Sequence, residues 1–279
     1  MKILITGAGG MLGHDLVNAF VNEDIFVADL PEWDITKIEE LRPKIKECQP
    51  DIIINSAAYT DVEGAEDNKN LAIKVNAEGV NNLSLIANEL DIPLLHISTE
   101  YVFDGESQDG YDEDSQVNPK NAYGQSKAQG EKFLIKTCHK YYLVRTSWLF
   151  GKAPQKGKPR GKNFIDKIIE LGLNESQVKV VNDQFGHPTY TKDLALGIKS
   201  LVEGKFEFGI YHLVNNGIAT WHDLAKEAFT LKGIQTPLIP VGSSEFPTKV
   251  KRPKYSILNN NKLPKLRTWQ EAVKEYLEN

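Results

Sequence analysis

A doubly wound parallel α/β sheet followed by a smaller C-terminal α/β lobe is predicted by three features of the chain. Short apolar runs alternate with stretches of helical periodicity through the first half, the pattern of βαβ units and a parallel sheet. The first apolar run passes directly into glycines and then into a helix, the arrangement of a Rossmann-like nucleotide turn. Beyond Gly151 the alternation gives way to a stretch rich in Gly, Pro and Lys. Residues 1–150 are therefore assigned to a dinucleotide-binding unit. Residues 151–279 are assigned mainly to a substrate lobe, with some later segments returning to the first sheet.

Each element has its own signature. Ile3–Thr6 reads as a strand that runs into Gly7, Gly10 and Gly13, after which Leu12, Leu16, Val17 and Phe20 recur at helical spacing. Gly7 and Gly10 would permit a tight turn and close approach of backbone to a pyrophosphate. Gly13 would let the helix lie against the sheet, with its N-terminal N–H groups facing the anion. The spacing is Gly-x-x-Gly-x-x-Gly rather than Gly-x-Gly-x-x-Gly. A second strand, Ile25–Ala28, leads into Asp29, at the distance expected for an acid that binds the adenosine ribose hydroxyls. A carboxylate there opposes a 2′-phosphate, and no Arg or Lys stands in the glycine turn or just after Asp29, so NADH is expected over NADPH.

A third strand lies within Asp51–Thr60, a helix spans about 72–90, and the run Ile92–Ser98 reads as a buried strand that leaves Thr99 at its C-terminal end. Ligands of open α/β sheets bind at strand C-termini. Tyr123 and Lys127, on a predicted helix over 122–137, are four residues apart and share a face if helical. Of ten tyrosines, Tyr123 alone has a lysine four positions on. An ammonium beside a phenol favours the phenolate and lowers the tyrosine pKa. Thr99, Tyr123 and Lys127 thus suit the polarisation of a carbonyl oxygen while hydride reaches its carbon, although a Tyr-x-x-x-Lys pair alone also occurs on solvated helices. Tyr142–Thr146 is the next strand. Later elements are a helix over 163–171 and strands at 178–181 and 211–215. A helix begins near Thr220, and two clusters, 183–189 and 250–256, suit ligand-facing loops.

Composition narrows the class. The chain has 279 residues, 41% of them hydrophobic, and a formal net charge of −5. Such a chain can bury a sizeable core. Its charge argues against nucleic acid or an anionic membrane as partner. Cys48 and Cys138 are too few and too far apart for a disulfide framework, the six histidines match no metal spacing, and no metal is assigned. No apolar run approaches transmembrane length and no signal peptide opens the sequence, so a reducing cytoplasm is expected. The Lys152–Lys162 stretch supplies five cations and is either a solvated loop or a diphosphate contact.

These residues, with Ile97-Ser-Thr-Glu-Tyr-Val-Phe-Asp-Gly105, Arg145-Thr-Ser-Trp-Leu-Phe-Gly151, Val181-Asn-Asp-Gln-Phe-Gly-His-Pro-Thr189 and Arg252-Pro-Lys-Tyr-Ser256, make the chain resemble the extended short-chain dehydrogenase/reductases nearly end to end. Within that family it resembles the enzymes that reduce the C4 keto group of a dTDP-linked deoxysugar. The resemblance implies NADH or NADPH as cofactor, a small-molecule nucleotide-sugar substrate, and the option of a homodimer. It further implies that Tyr123 protonates the C4 oxygen, that Lys127 holds the nicotinamide ribose, and that Thr99 donates to the same oxygen. Cofactor contacts are implied for Met11, Leu12, Asp34, Ile35, Ala57, Ala58, Tyr59 and Asn76. Substrate contacts are implied for Tyr101, Val102, Trp148, Asn163, Gln184 and Arg252. Physical roles fit some of these: Trp148 offers an apolar face to a sugar ring, and Arg252 can clamp a diphosphate with two parallel bonds. Glu100 replaces the usual aspartate, and Lys162 stands where a second asparagine is common.

Two other readings stay open. A nucleotide-sugar dehydratase or epimerase has the same framework, but the dehydratases carry two consecutive acids where this chain has Glu100 and Tyr101. A non-catalytic regulatory subunit of the same fold is the other, against which the intact Tyr123/Lys127 pair speaks.

Overall fold

The computed structural model describes residues 1–154, 161–204 and 206–278. Five strands come first: β1 (Lys2–Thr6), β2 (Asp24–Ala28), β3 (Ile52–Asn55), β4 (Leu94–Thr99) and β5 (Tyr141–Thr146). Between them run α1 (Met11–Ala19), α2 (Ile38–Cys48), the short α3 (Gly64–Asp67), α4 (Lys69–Ile73), α5 (Gly79–Glu89) and α6 (Ala122–Thr137). After β5 come β6 (Leu149–Phe150), α7 (Phe164–Asn174), β7 (Val178–Val181), β8 (Phe185–Gly186), β9 (Thr189–Tyr190) and α8 (Thr191–Glu203). The chain continues through β10 (Gly209–His212), β11 (Ala219–Thr220), α9 (Trp221–Lys232), β12 (Leu238–Val241), β13 (Tyr255–Ser256) and α10 (Trp269–Glu278).

The main sheet has the order β10-β5-β4-β3-β1-β2, and every pairing in it is parallel. All four residues of β3 are buried, because helices cover both faces of a parallel sheet and its strands become continuous apolar runs. On one face α1 and α8 enclose Ile3, Ile5, Leu16, Ile54, Leu194 and Ile198. On the other, α2, α5 and α6 enclose Leu4, Leu41, Ile53, Val80, Leu83 and Leu134. The order reverses between β1 and β3, and the crevice at that switch point is where such sheets receive ligands.

A second core lies after β5. It joins α7, β7, α9 and α10 through Ile165, Ile168, Val178, Leu224, Phe229, Trp269 and Val273. Three small sheets, β11-β8-β13, β12-β7 and β6-β9, complete it. The chain crosses back in between, since α8 packs on α1 and β10 extends the first sheet beside β5, and it returns again before α10, where Leu263 and Leu266 pack on the first core.

Several boundaries differ from the sequence reading for identifiable reasons. The helix expected over 72–90 is interrupted by one π-helical turn, Lys74–Glu78, of the kind frequent near functional sites. The strand expected from Ile92 begins at Leu94, after Pro93, and the one expected over 211–215 is Gly209–His212. Asn163 precedes its helix rather than opening it: its side chain accepts from the N–H groups of Ile165 and Asp166, an N-cap. Thr220 and Asp223 form a reciprocal capping box at the start of α9.

Candidate active site

A cleft of about 890 Å³ opens at the C-terminal ends of β1–β5 and runs from the glycine turn to the second core. At its first end the sequence dictates the backbone. Gly7 has φ +70°, and a Cβ there would lie 2.6 Å from the Ala57 nitrogen. A Cβ on Gly13 would lie 2.2 Å from the Gly7 carbonyl oxygen. Neither position admits a side chain, and the close approach of α1 to the turn follows. Asp29 braces the turn, its carboxylate accepting from the Gly9 N–H at 3.0 Å and the Leu30 N–H at 2.9 Å. Gly10, Met11, Leu12, Asp34, Ile35, Ala57 and Ala58 also line this end.

Thr99, Tyr123 and Lys127 meet in the middle of the same cleft. Thr99 closes β4 with an extended backbone, and its hydroxyl donates to a Glu100 carboxylate oxygen at 2.7 Å. Asn121 caps α6, accepting from the Gly124 N–H, so Tyr123 sits in the first turn and Lys127 one turn on. A buried ion pair fixes that helix to the sheet. Arg145 of β5 meets Glu131 of α6 through two bonds of 3.0 and 2.8 Å, and Ser98 of β4 donates to the same carboxylate at 2.5 Å. The Arg in Arg145-Thr-Ser-Trp thus acts beneath the site rather than within it.

The expected acidification of Tyr123 is corrected here. Burial pushes the phenol well above its ordinary pKa, the Glu100 carboxylate adds to the rise, and only a hydrogen bond with Thr99 opposes them. Lys127 does not offset this, because its Nζ lies 3.1 Å from His96 Nε2 and donates to the Ile97 carbonyl at 2.7 Å. Burial lowers the lysine to about 8. A phenol held protonated is the form that donates a proton.

The far end is built of side chains. Trp148, whose backbone is left-handed at φ 45°, stacks on Trp221 with centroids 3.7 Å apart and planes 9° apart. The Trp148 indole lies over Gly186, where a Cβ would come within 2.6 Å of it. Trp221 Nε1 donates to Gln184 Oε1 at 3.1 Å. Arg252 donates to Glu63 at 2.7 Å. Tyr101 packs edge-on to Tyr123 at 5.5 Å, its pKa raised to about 12 by burial while Arg252 opposes the rise. Thr146 lines the cleft, and its hydroxyl is a buried polar atom without a hydrogen-bond partner among the described residues.

Five expected contacts fall outside the cleft lining. Val102 is fully buried beside Phe103 and Tyr111. Asn76 clamps the Tyr59 backbone at both its N–H and carbonyl and donates to Ser126, so both shape the wall from behind. Asn163 bonds the Gly151 carbonyl and the Tyr276 hydroxyl. Gln184 reaches the cleft only through Trp221. Sequence reasoning missed Trp33, Glu63, Phe164 and Trp221, all of which line it. Nothing local to Trp221 revealed its stacking partner, Trp148. Of the basic stretch, residues 155–160 lie outside the described residues. Lys152 stands over the Tyr276 ring at 4.5 Å and Lys162 pairs with Glu170 at 3.0 Å. Among the described residues no group of three His, Cys, Asp or Glu is placed to hold a metal, and no helix is long and apolar enough to cross a membrane.

The family model described as RmlD substrate binding domain matches residues 1–279. A dTDP-4-dehydrorhamnose reductase of Aggregatibacter actinomycetemcomitans is 35% identical, over 98% of this chain and 97% of its own length. Two solved structures are similar throughout. One, a dTDP-4-dehydrorhamnose reductase of Clostridium acetobutylicum, has TM-score 0.93 and 39% identity, covering 100% of this chain and 99% of the other. The second, of the same description, from Bacillus anthracis and in complex with NADP, has TM-score 0.93 and 37% identity, covering 99% and 98%.

Proposed function

The chain belongs to the RmlD substrate binding domain family, and on that premise we propose that it reduces the C4 keto group of dTDP-4-dehydro-L-rhamnose to give dTDP-L-rhamnose. The observation that carries this reading is the meeting of Thr99, Tyr123 and Lys127 in one cleft with the glycine turn. The turn fits a dinucleotide, since its two sterically closed glycines leave backbone N–H groups at the start of α1. A reduced nicotinamide bound there supplies the hydride.

The chain's own residues do the rest. Tyr123 keeps its proton until a carbonyl oxygen arrives and then donates it. Thr99 releases Glu100 to donate to the same oxygen. Lys127 holds the ribose edge, and Met11, Leu12, Asp34, Ile35, Ala57 and Ala58 form the cofactor wall, which Tyr59 and Asn76 support. The stacked Trp148–Trp221 pair gives the deoxysugar an apolar platform. Arg252 exchanges Glu63 for the diphosphate, a charge-assisted and bidentate contact. On Asp29 alone the site favours NADH; the Bacillus anthracis relative was solved with NADP, so the two dinucleotides are to be measured side by side.

The test is to mix purified protein with dTDP-4-dehydrorhamnose and follow the loss of nicotinamide absorbance with each dinucleotide. Substrate-dependent oxidation is expected. Failure with both, or one equivalent of oxidised cofactor retained through purification, would overturn the reading in favour of an epimerase or dehydratase.

A further inference from the structure

Trp33 stands at the glycine end of the cleft, on the loop that leaves β2. It packs, partly buried, against the core that α2 and α5 cover, and it also lines the cleft. Leu30 of the same loop lines the cleft as well and is 67% exposed. Two large apolar side chains thus border a region where ribose and phosphate alone would call only for polar groups, and uncovered apolar surface beside a cleft marks a place for a ligand.

The loop is braced by the chain itself. The Trp33 N–H donates to the Asp29 carbonyl at 3.1 Å, and Asp34 Oδ1 accepts from the Thr36 N–H at 2.9 Å and its hydroxyl at 2.8 Å. Asn82 Nδ2 donates to the Ile35 carbonyl at 2.9 Å. Lys44 of α2 donates to the Glu32 carbonyl and stands over the Trp33 ring, 5.6 Å from its centroid, a cation–π contact. An indole held in this way has little rotamer freedom left to lose on binding.

The sheet order decides which half of a dinucleotide meets it. β2 is the edge strand, β1 with the glycine turn lies next to it, and β3 and β4 follow. Asp29 past β2 and Thr99 at the end of β4 are therefore three strand spacings apart, about 14 Å. A nicotinamide that reacts beside Thr99 and Tyr123 lies over β4, and the pyrophosphate takes the glycine turn. The second base then falls beyond β2. Resting on the proposed reductase reading, we infer that Trp33 is the stacking face for the adenine ring and sets the affinity for the adenosine half of the cofactor. Every base has a flat π-face, and stacking on an aromatic side chain binds it without any hydrogen bond. A tryptophan that served only the core would be indifferent to such a ligand.

The test uses ADP, which carries the adenosine half and no nicotinamide, so it does not depend on turnover. The chain has four tryptophans. Trp148 and Trp221 stack at the far end of the cleft, and Trp269 lies in the second core. ADP is titrated into the full chain, with binding followed by calorimetry and by indole emission excited at the red edge of its band, where adenine does not absorb. ADP is expected to bind and to quench part of the wild-type emission. Trp33→Phe, which keeps a ring, should hold the dissociation constant within about threefold and remove the quench. Trp33→Leu, which keeps apolar bulk against the core, should raise that constant about fivefold or more. An unchanged constant in Trp33→Leu, or a quench that persists in Trp33→Phe, would overturn the inference. So would wild-type emission that stays constant while ADP binds, a result that needs no variant. Failure of ADP to bind would overturn it together with the dinucleotide site, whereas the expected ADP behaviour without oxidation of either nicotinamide would strike the reductase reading alone.

Discussion

The two ends of the cleft are built in opposite ways. The glycine end is made of main chain: Gly7 and Gly13 admit no Cβ, and Asp29 ties the turn to β2 by bonding backbone N–H groups. The tryptophan end is made of side chains brought from positions 63, 101, 148, 221 and 252, each held by another side chain. Backbone surfaces follow from local sequence and tolerate almost no change. Side-chain surfaces follow from distant contacts and can be altered one group at a time. Tyr123 and Lys127 stand between them on α6, anchored through Glu131 and Arg145.

Substitutions sharpen that contrast, beginning with the reacting group between the two ends. Tyr123→Phe removes the proposed proton donor and should lower kcat by about 10²–10⁴-fold, while the cofactor dissociation constant, measured by fluorescence titration, changes by less than about twofold. A turnover number within tenfold of wild type would remove the donor assignment. At the glycine end, Gly13→Val drives a branched side chain into the Gly7 carbonyl. It should cost about 3 kcal/mol or more in urea unfolding, and a fully stable variant would break the view that main-chain contact governs this end.

Lys127→Met tests the buried amine by its pH dependence. Because the folded lysine titrates at about 8 and the unfolded one near 10.5, the unfolded chain binds more protons between those values. Wild-type stability therefore rises with pH across that window. The stability of Lys127→Met relative to wild type should be highest below pH 8 and fall by about 2–3 kcal/mol toward pH 10.5, as read from denaturant unfolding at several pH values. A difference independent of pH would refute it. At the tryptophan end the effects should be smaller. Trp221→Leu should raise KM about tenfold with kcat little changed, and Gln184→Ala, which only loosens the Trp221 ring, by about two- to fivefold. An equal fall in kcat for either would place these rings at the reacting centre instead.

The same contrast explains what was legible in the sequence. The glycine spacing, Asp29, and the order of strands around Thr99 and Tyr123 are local patterns, and the structure brings these residues into one cleft. The direction of the Tyr123 pKa shift differs from the expectation because burial raises it, and four-residue spacing gives a shared helix face but not the direction of a lysine's side-chain nitrogen. His96, a residue on another strand, takes that nitrogen away. Trp221 and Glu63 went unseen for a related reason: their partners, Trp148 and Arg252, lie 73 and 189 residues away in sequence. Asn163 and Gln184 could be found through resemblance, but whether they face a ligand or brace a neighbour depends on Tyr276 and Trp221.

The Arg252–Glu63 pair means that the guanidinium already has a counterion seated before any anion arrives. If Arg252 holds a diphosphate as proposed, affinity for a phosphorylated ligand would report the difference between two ion pairs rather than the strength of one, and the displaced carboxylate would stay nearby to repel weakly held guests. Such an exchange would leave binding less sensitive to ionic strength than a bare cation would, and it would discriminate against anions too small to reach Arg252 and the indole platform together.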